Sequence, residues 1–170
     1  LIEGDGLVAA QLTPGNLDII IGTKKGVASR FNERDVRSMG RSATGVRAIR
    51  LEQGDEVIGM QTTAEGTTLL TVTENGFGKR TDINEYRQIH RGGKGVINIQ
   101  CSERNSDVVG ILMVKDEDEV IFMSQKGVVM RTAVKDISSI GRNTQGLRLM
   151  KTKEGDKIMT VARVVKNGNA

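Results

Sequence analysis

With 170 residues, 37% of them apolar, and a net charge of +4, the chain has material for a core but too little excess charge to mark it as a polyanion binder on bulk charge alone. Aromatic residues make up 2% and Trp is absent, so Val, Ile, Leu and Met must build the core, and stacking platforms for single-stranded bases are excluded. Cys101 is the single cysteine, which excludes an intramolecular disulfide, and no apolar run approaches the roughly 18–20 residues of a spanning helix.

The first segment, Gly4-Asp5-Gly6-Leu7-Val8-Ala9-Ala10, is a polar turn followed by a short apolar run, which predicts a strand. It returns as Gly54-Asp55-Glu56-Val57-Ile58-Gly59-Met60, as Asn105-Ser106-Asp107-Val108-Val109-Gly110-Ile111, and as Gly155-Asp156-Lys157-Ile158-Met159-Thr160-Val161. A hairpin follows in each unit. Leu17 to Thr23 and Val27 to Phe31 flank Lys24-Lys25-Gly26; Thr68 to Thr73 and Phe77 to Arg80 flank Glu74-Asn75-Gly76; Val120 to Ser124 and Val128 to Arg131 flank Gln125-Lys126-Gly127. A glycine ends every turn, where a tight hairpin needs positive φ. The second hairpin strand carries a basic residue in register at Arg30, Arg80 and Arg131.

A connection with an acid–apolar pair comes next, at Asp35-Val36, Glu85-Tyr86 and Asp136-Ile137, with at most a short helical turn near Asn32 to Arg37 and its equivalents. It delivers the chain to a glycine-bracketed basic turn: Gly40-Arg41-Ser42-Ala43-Thr44-Gly45, His90-Arg91-Gly92-Gly93-Lys94-Gly95, and Gly141-Arg142-Asn143-Thr144-Gln145-Gly146. Fourth strands are predicted over Val46 to Leu51, Val96 to Cys101 and Leu147 to Thr152, with a bulge or burial on both faces because their alternation is not clean. The repeats are approximately 4–53, 54–104 and 105–154, with a partial fourth at 155–170. Four strands in about 50 residues is the size of a propeller-type blade and too long for a leucine-rich repeat. The fold class is all-β.

Charge is phased with the repeat. No acid lies between Asp35 and Glu52, between Glu85 and Glu103, or between Asp136 and Glu154, while each window carries several bases. Equivalent positions in repeats occupy equivalent surfaces, so this phasing predicts a basic stripe suited to phosphates, with duplex backbone contact and no base readout. The candidate DNA-binding residues are Lys25, Arg30, Arg37, Arg41, Arg47, Lys79, Arg80, Arg91, Lys94, Lys126, Arg131, Arg142 and Arg148. Glycines beside the arginines would let bare backbone N–H groups approach phosphate oxygens as well.

No catalytic residues and no metal site are assigned. His90 is the only histidine, so no His cluster or His-based triad can form. Cys101, Met113, Met123, Met130 and Met150 read as core, and Asp116-Glu117-Asp118-Glu119 as a solvated turn without the alternating ligand spacing of a calcium loop. Gly93-Lys94 lacks the hydroxyl residue of a P-loop.

Three stretches carry a family resemblance: residues 34–47, Arg-Asp-Val-Arg-Ser-Met-Gly-Arg-Ser-Ala-Thr-Gly-Val-Arg; Asn75-Gly76-Phe77-Gly78-Lys79-Arg80-Thr81; and Ile140-Gly141-Arg142-Asn143-Thr144-Gln145-Gly146. The chain resembles, over its whole length, the later blades of the C-terminal domain of DNA gyrase A, a β-pinwheel whose blades exchange strands with their neighbours. The resemblance implies a non-catalytic module of an ATP-dependent type II topoisomerase that bends duplex DNA on a basic rim and so supports negative supercoiling. Its partners would be duplex DNA, the rest of gyrase A and gyrase B, in the cytoplasm and away from membranes. ATP and Mg would act elsewhere in the whole enzyme, with no cofactor here. The family's gyrase box, near Gln-Arg-Arg-Gly-Gly-Lys-Gly, belongs to a first blade. Ile89-His90-Arg91-Gly92-Gly93-Lys94-Gly95 matches five of its seven positions from a middle repeat, so it reads as a box-like copy. The equivalent domain of topoisomerase IV is the close alternative, and a propeller scaffold for a protein partner is the alternative from another class. The chain starts without Met and mid-pattern, which predicts a piece of a longer array, an open arc of three to three and a half blades, and self-association through the terminal strands.

Overall fold

The computed structural model describes residues 3–164. Its strands in chain order are β1 (Asp18–Thr23), β2 (Val27–Asn32), β3 (Val57–Thr62), β4 (Thr68–Thr73), β5 (Phe77–Asp82), β6 (Val96–Ile97), β7 (Val108–Val114), β8 (Glu119–Ser124), β9 (Val129–Ala133), β10 (Leu147–Arg148) and β11 (Ile158–Val164). The three hairpins β1–β2, β4–β5 and β8–β9 form where the sequence places them. An equivalent bond spans each turn, from the N–H of Gly26, Gly76 or Gly127 to the carbonyl of Thr23, Thr73 or Ser124, at 3.1, 3.1 and 3.0 Å.

Three antiparallel sheets result, with strand orders β3-β1-β2-β6, β10-β5-β4-β7 and β11-β8-β9. Every hairpin is therefore flanked by strands of the following repeat: β3 and β6 for the first, β7 and β10 for the second, β11 for the third. The fold is an all-β, strand-exchanged propeller relative, as expected. β9 forms the edge of its sheet, whereas its equivalents β2 and β5 lie inside theirs.

Strand exchange also explains which predicted strands do not form. Residues 4–10 are irregular and exposed. Residues 46–51 make only one isolated bridge, Ile49 to Gly93. Both segments are flanking strands by register, and among the described residues no earlier hairpin offers them a ladder partner. The other two fourth strands shrink to the two-residue β6 and β10, because beyond that contact the chain turns back toward the hairpin tip. The strand expected after the polar turn at Gly155 is present as β11.

Short 3-10 turns at Glu33–Asp35, Ile83–Glu85 and Val134–Asp136 fill the predicted connections. The side chains of Asn32 and Asp82 cap the first two by accepting from the N–H groups of Arg34 and Asn84. A fourth 3-10 turn, Thr63–Glu65, was not anticipated.

The core follows from strand alternation. Leu69 on β4 joins Ile20, Ala28, Tyr86, Ile99 and Met113, while the next residue, Leu70, joins Val72, Val120, Phe122, Ile137 and Ile158. Successive side chains point to opposite faces, so the middle sheet is buried on both. All six residues of β4 are buried, which requires apolar or satisfied polar groups at each position. Burying each such leucine contributes about 2 kcal/mol. Met113 and Met150 are core, as expected, and Cys101 packs against the first cluster. Met123 departs from the expectation: it sits on the outer face of β8 and is 43% exposed.

Candidate nucleic-acid interface

The box-like turn is held against the preceding repeat. Arg91 donates through Nε to the Asp35 carbonyl at 2.8 Å and through Nη1 to the Arg47 carbonyl at 3.3 Å. The Gly92 N–H donates to the Ala48 carbonyl at 2.6 Å, and the Arg50 N–H to the Gly93 carbonyl at 2.8 Å. One repeat later the pattern returns. Arg142 donates through Nη1 to the Ile97 carbonyl at 2.7 Å, and the Gln100 N–H donates to the Thr144 carbonyl at 2.8 Å. Positions 97 and 100 are the equivalents of 47 and 50. The Arg142 guanidinium also lies 5.9 Å from the Tyr86 ring centroid.

Glycine closes these turns because two backbones meet there. A Cβ on Gly95 would stand 2.6 Å from the Ala28 carbonyl oxygen, and one on Gly146 would stand 2.8 Å from that of Gly78. At Gly45, which no earlier hairpin faces among the described residues, a Cβ would meet nothing within 4 Å. The expectation of bare N–H groups reaching outward is corrected for Gly92, whose N–H is used inside.

This packing gathers cations from two successive repeats. Arg47 and Arg50 come from one strand-like segment, Arg91 and Lys94 from the turn beside it. Arg47, Arg50 and Lys94 are exposed, while Arg91 is half-buried. Nearby acids are few: Lys94 Nζ stands 3.9 Å from Glu52, and the exposed His90 stands 3.5 Å from Asp35. Arg37 and Arg41 are exposed and take part in no ion pair among the described residues.

Other candidates turn out to hold the repeats together. Lys79 is buried, and its ammonium donates to the Gly141 carbonyl at 2.6 Å, the Arg142 carbonyl at 2.9 Å and the Thr81 hydroxyl at 2.9 Å. Loss of hydration lowers its pKa to about 8. Arg80 is buried too, bonded to the Ile137 carbonyl at 2.7 Å and paired with Asp116. Arg30 is half-buried between Asp18 and the carbonyls of Ile83 and Tyr86. Lys79 and Arg80 are thus removed from the accessible set, and Arg30 has most of its donors committed. Their apolar stems cross a blade boundary while their heads satisfy carbonyls that would otherwise be buried without partners. Arg131 is exposed and paired with Glu119. Lys25 and Lys126 are exposed but bonded to the carbonyls of Gln53 and Glu154, at 2.9 and 3.1 Å. Arg148 is exposed and stacks over Phe77.

Arg104 escaped sequence reasoning because it stands beside Glu103, outside the acid-free windows. Arg50 lay inside a window and could have been chosen. The Cys101 thiol is pushed up to about 11 by burial, in keeping with a packing role. In the acidic turn, Asp116 and Glu119 pair with Arg80 and Arg131, and the Asp118 carboxylate accepts from the Lys115 N–H at 2.9 Å. Among the described residues no group of three or more His, Cys, Asp or Glu is placed to hold a metal ion. No helix among them is long and apolar enough to cross a membrane.

A family profile described as DNA gyrase C-terminal domain, beta-propeller, matches residues 17–64, 67–115 and 118–164. The chain belongs to this family. Each matched stretch of the DNA gyrase C-terminal domain profile runs from a hairpin through the basic turn into the first strand of the next repeat. That stretch spans the exchanged unit seen in the sheets, not the sequence repeat counted from its polar turn. DNA gyrase A of Haloquadratum walsbyi is 49% identical over 159 residues, covering 92% of this chain and 19% of that protein. DNA gyrase A of Staphylococcus epidermidis is 44% identical over 164 residues, covering 95% of this chain and 18% of that protein. The chain therefore spans about a fifth of the length of these relatives. A solved DNA gyrase A C-terminal domain superposes with a TM-score of 0.82 at 28% identity, covering 88% of this chain and 51% of that one. A DNA topoisomerase IV C-terminal domain superposes with a TM-score of 0.90 at 24% identity, covering 96% and 51%, a likeness of fold.

Proposed function

We propose that the chain binds and bends duplex DNA without reading its sequence, as a wrapping module of DNA gyrase A within a type II topoisomerase that introduces negative supercoils. The observation that carries this reading is the convergence of Arg47, Arg50, Arg91 and Lys94 around the Gly92-Gly93 turn, held in place by backbone hydrogen bonds between two repeats. Two of these bonds recur at the Arg142 turn, where Ile97, Gln100 and Gln145 stand in the places of Arg47, Arg50 and Lys94, so that one arginine per turn, Arg41, Arg91 and Arg142, steps along the molecule once per blade. Such an array suits a ligand whose charges also repeat, and phosphate contacts of this kind position a duplex without specifying bases. The gyrase relatives support the reading. Strand cleavage, ATP and Mg belong, on this reading, to the rest of gyrase A and to gyrase B.

Binding of random-sequence duplex, followed by fluorescence anisotropy across a salt series, tests it. If about six phosphates are neutralised, log K falls with log salt at a slope of roughly −5. Charge reversal at Arg37, Arg41 and Arg47, all exposed, flattens that slope. A wild-type slope near zero overturns the proposal, and capture of a protein partner in its place favours the scaffold reading.

A further inference from the structure

We propose that Arg104 and Arg148 form a phosphate clamp on the middle sheet, which takes backbone oxygens of the duplex DNA inferred above and rests on that reading. The two guanidinium carbons stand 4.8 and 4.9 Å from the centroid of one ring, Phe77. Arg148 is the direct cross-strand partner of Phe77 in the β10–β5 ladder. Arg104 arrives from the loop that precedes β7. Both arginines are exposed, whereas the ring beneath them is 2% exposed.

The hairpin turn Glu74-Asn75-Gly76 anchors both arms. The Asn75 amide donates to the carbonyls of Glu103 and Arg104, each at 3.2 Å, and the Asn75 N–H donates to the Asn105 carbonyl at 3.2 Å. The Gly76 carbonyl accepts from the N–H groups of Leu149 and Met150, at 2.8 and 3.1 Å. Asn105 is fully buried and spans the two arms, donating to the carbonyls of Gln100 and Gln145. The backbone under each arginine is thereby fixed before any ligand arrives, which lowers the ordering cost of binding.

Two like charges held on one ring, within about a Debye length (~10 Å at 0.1 M salt) of each other, repel unless an anion lies near. Neither arginine takes part in an ion pair among the described residues, and this includes the neighbouring Glu103. The pair is particular to this blade: the first carries Val27 opposite Ile97, with Gln53 in the place of Arg104. A stacked guanidinium keeps its N–H edge free, and that edge matches phosphate geometry.

The test uses the 170-residue chain and a random-sequence duplex. Arg104→Gln with Arg148→Gln lowers the magnitude of the salt slope by about 1.8, or 0.9 per lost contact, and weakens binding roughly eightfold per contact at ~0.1 M salt. Arg104→Lys with Arg148→Lys keeps the slope, because charge remains. Should the glutamine pair unfold, each single glutamine variant is read alone for a loss of about 0.9. A wild-type slope retained in the glutamine variants overturns the clamp and leaves the DNA reading standing. Equal losses in the lysine and glutamine pairs overturn it as well, since damage to the fold would then be the cause. A wild-type slope near zero overturns the DNA reading and the clamp together.

Discussion

The Lys79 ammonium lies 2.6 Å from the Gly141 carbonyl oxygen, 62 residues away along the chain. The bond ties the second hairpin to the basic turn that flanks it, inside a boundary between exchanged strands. A charge placed there has lost most of its water, and three oxygen acceptors replace only part of that hydration.

Stability should therefore depend on pH through Lys79. Its folded pKa of about 8 lies below the ordinary lysine value of 10.5, so the folded state releases this proton first. The resulting cost is fully present below about pH 8 and is relieved as pH rises toward the unfolded value. Denaturant unfolding of wild type and Lys79→Met, compared between about pH 8 and 10, should show wild type gaining on the order of 2 kcal/mol relative to the variant. Tyr86 and Cys101, both shifted upward by burial, cancel in that difference. A difference that stays flat with pH would count against a desolvated ammonium.

Two hairpin glycines with the same backbone conformation should respond differently to substitution. Gly76 and Gly127 have φ of 83° and 81°. A Cβ on Gly76 would stand 2.1 Å from the Met150 carbonyl oxygen, whereas one on Gly127 meets nothing within 4 Å. Gly127→Ala should cost about 1 kcal/mol, the conformational term alone. Gly76→Ala should cost at least twice as much, because the backbone at Met150, just past β10, must move off the turn. Thermal denaturation of both variants checks this, and equal losses would refute it.

Two of the three equivalent arginines, Arg41 and Arg142, should also separate. Arg142→Ala removes a bond to the Ile97 carbonyl and a contact with Tyr86, and should destabilise by about 1–2 kcal/mol. Arg41→Ala, at an exposed position without an ion pair among the described residues, should change stability by less than about 0.5 kcal/mol while still weakening DNA binding. Urea titrations of the two variants, with anisotropy on the second, decide it.

Much of the fold was legible because its signals are local. Hairpin bounds follow from short apolar runs and from glycines at positive φ, and each of these acts within a few residues. The strands at residues 4–10 and 46–51 carry the same local signal and do not form. A strand is stable only against a neighbour, and their partner would be the hairpin of a preceding repeat. The candidate interface was legible as charge phasing, yet phasing alone could not separate Arg41 from Arg80.

The sequence by itself determined the repeat, the all-β class, the three hairpins and the placement of bases away from acids. Periodicity and turn chemistry need no distant contact. Only the tertiary structure decided which cations remain available to a ligand. Lys79 and Arg80 are sealed at a blade boundary, and Arg91 and Arg142 bond carbonyls of the preceding repeat. Arg104 and Arg148 come together over Phe77 although 44 positions separate them in the chain. The reason is strand exchange: Lys79, Arg80, Arg91, Arg142 and Arg148 are each set against a repeat other than their own, so their burial depends on contacts that no local pattern encodes.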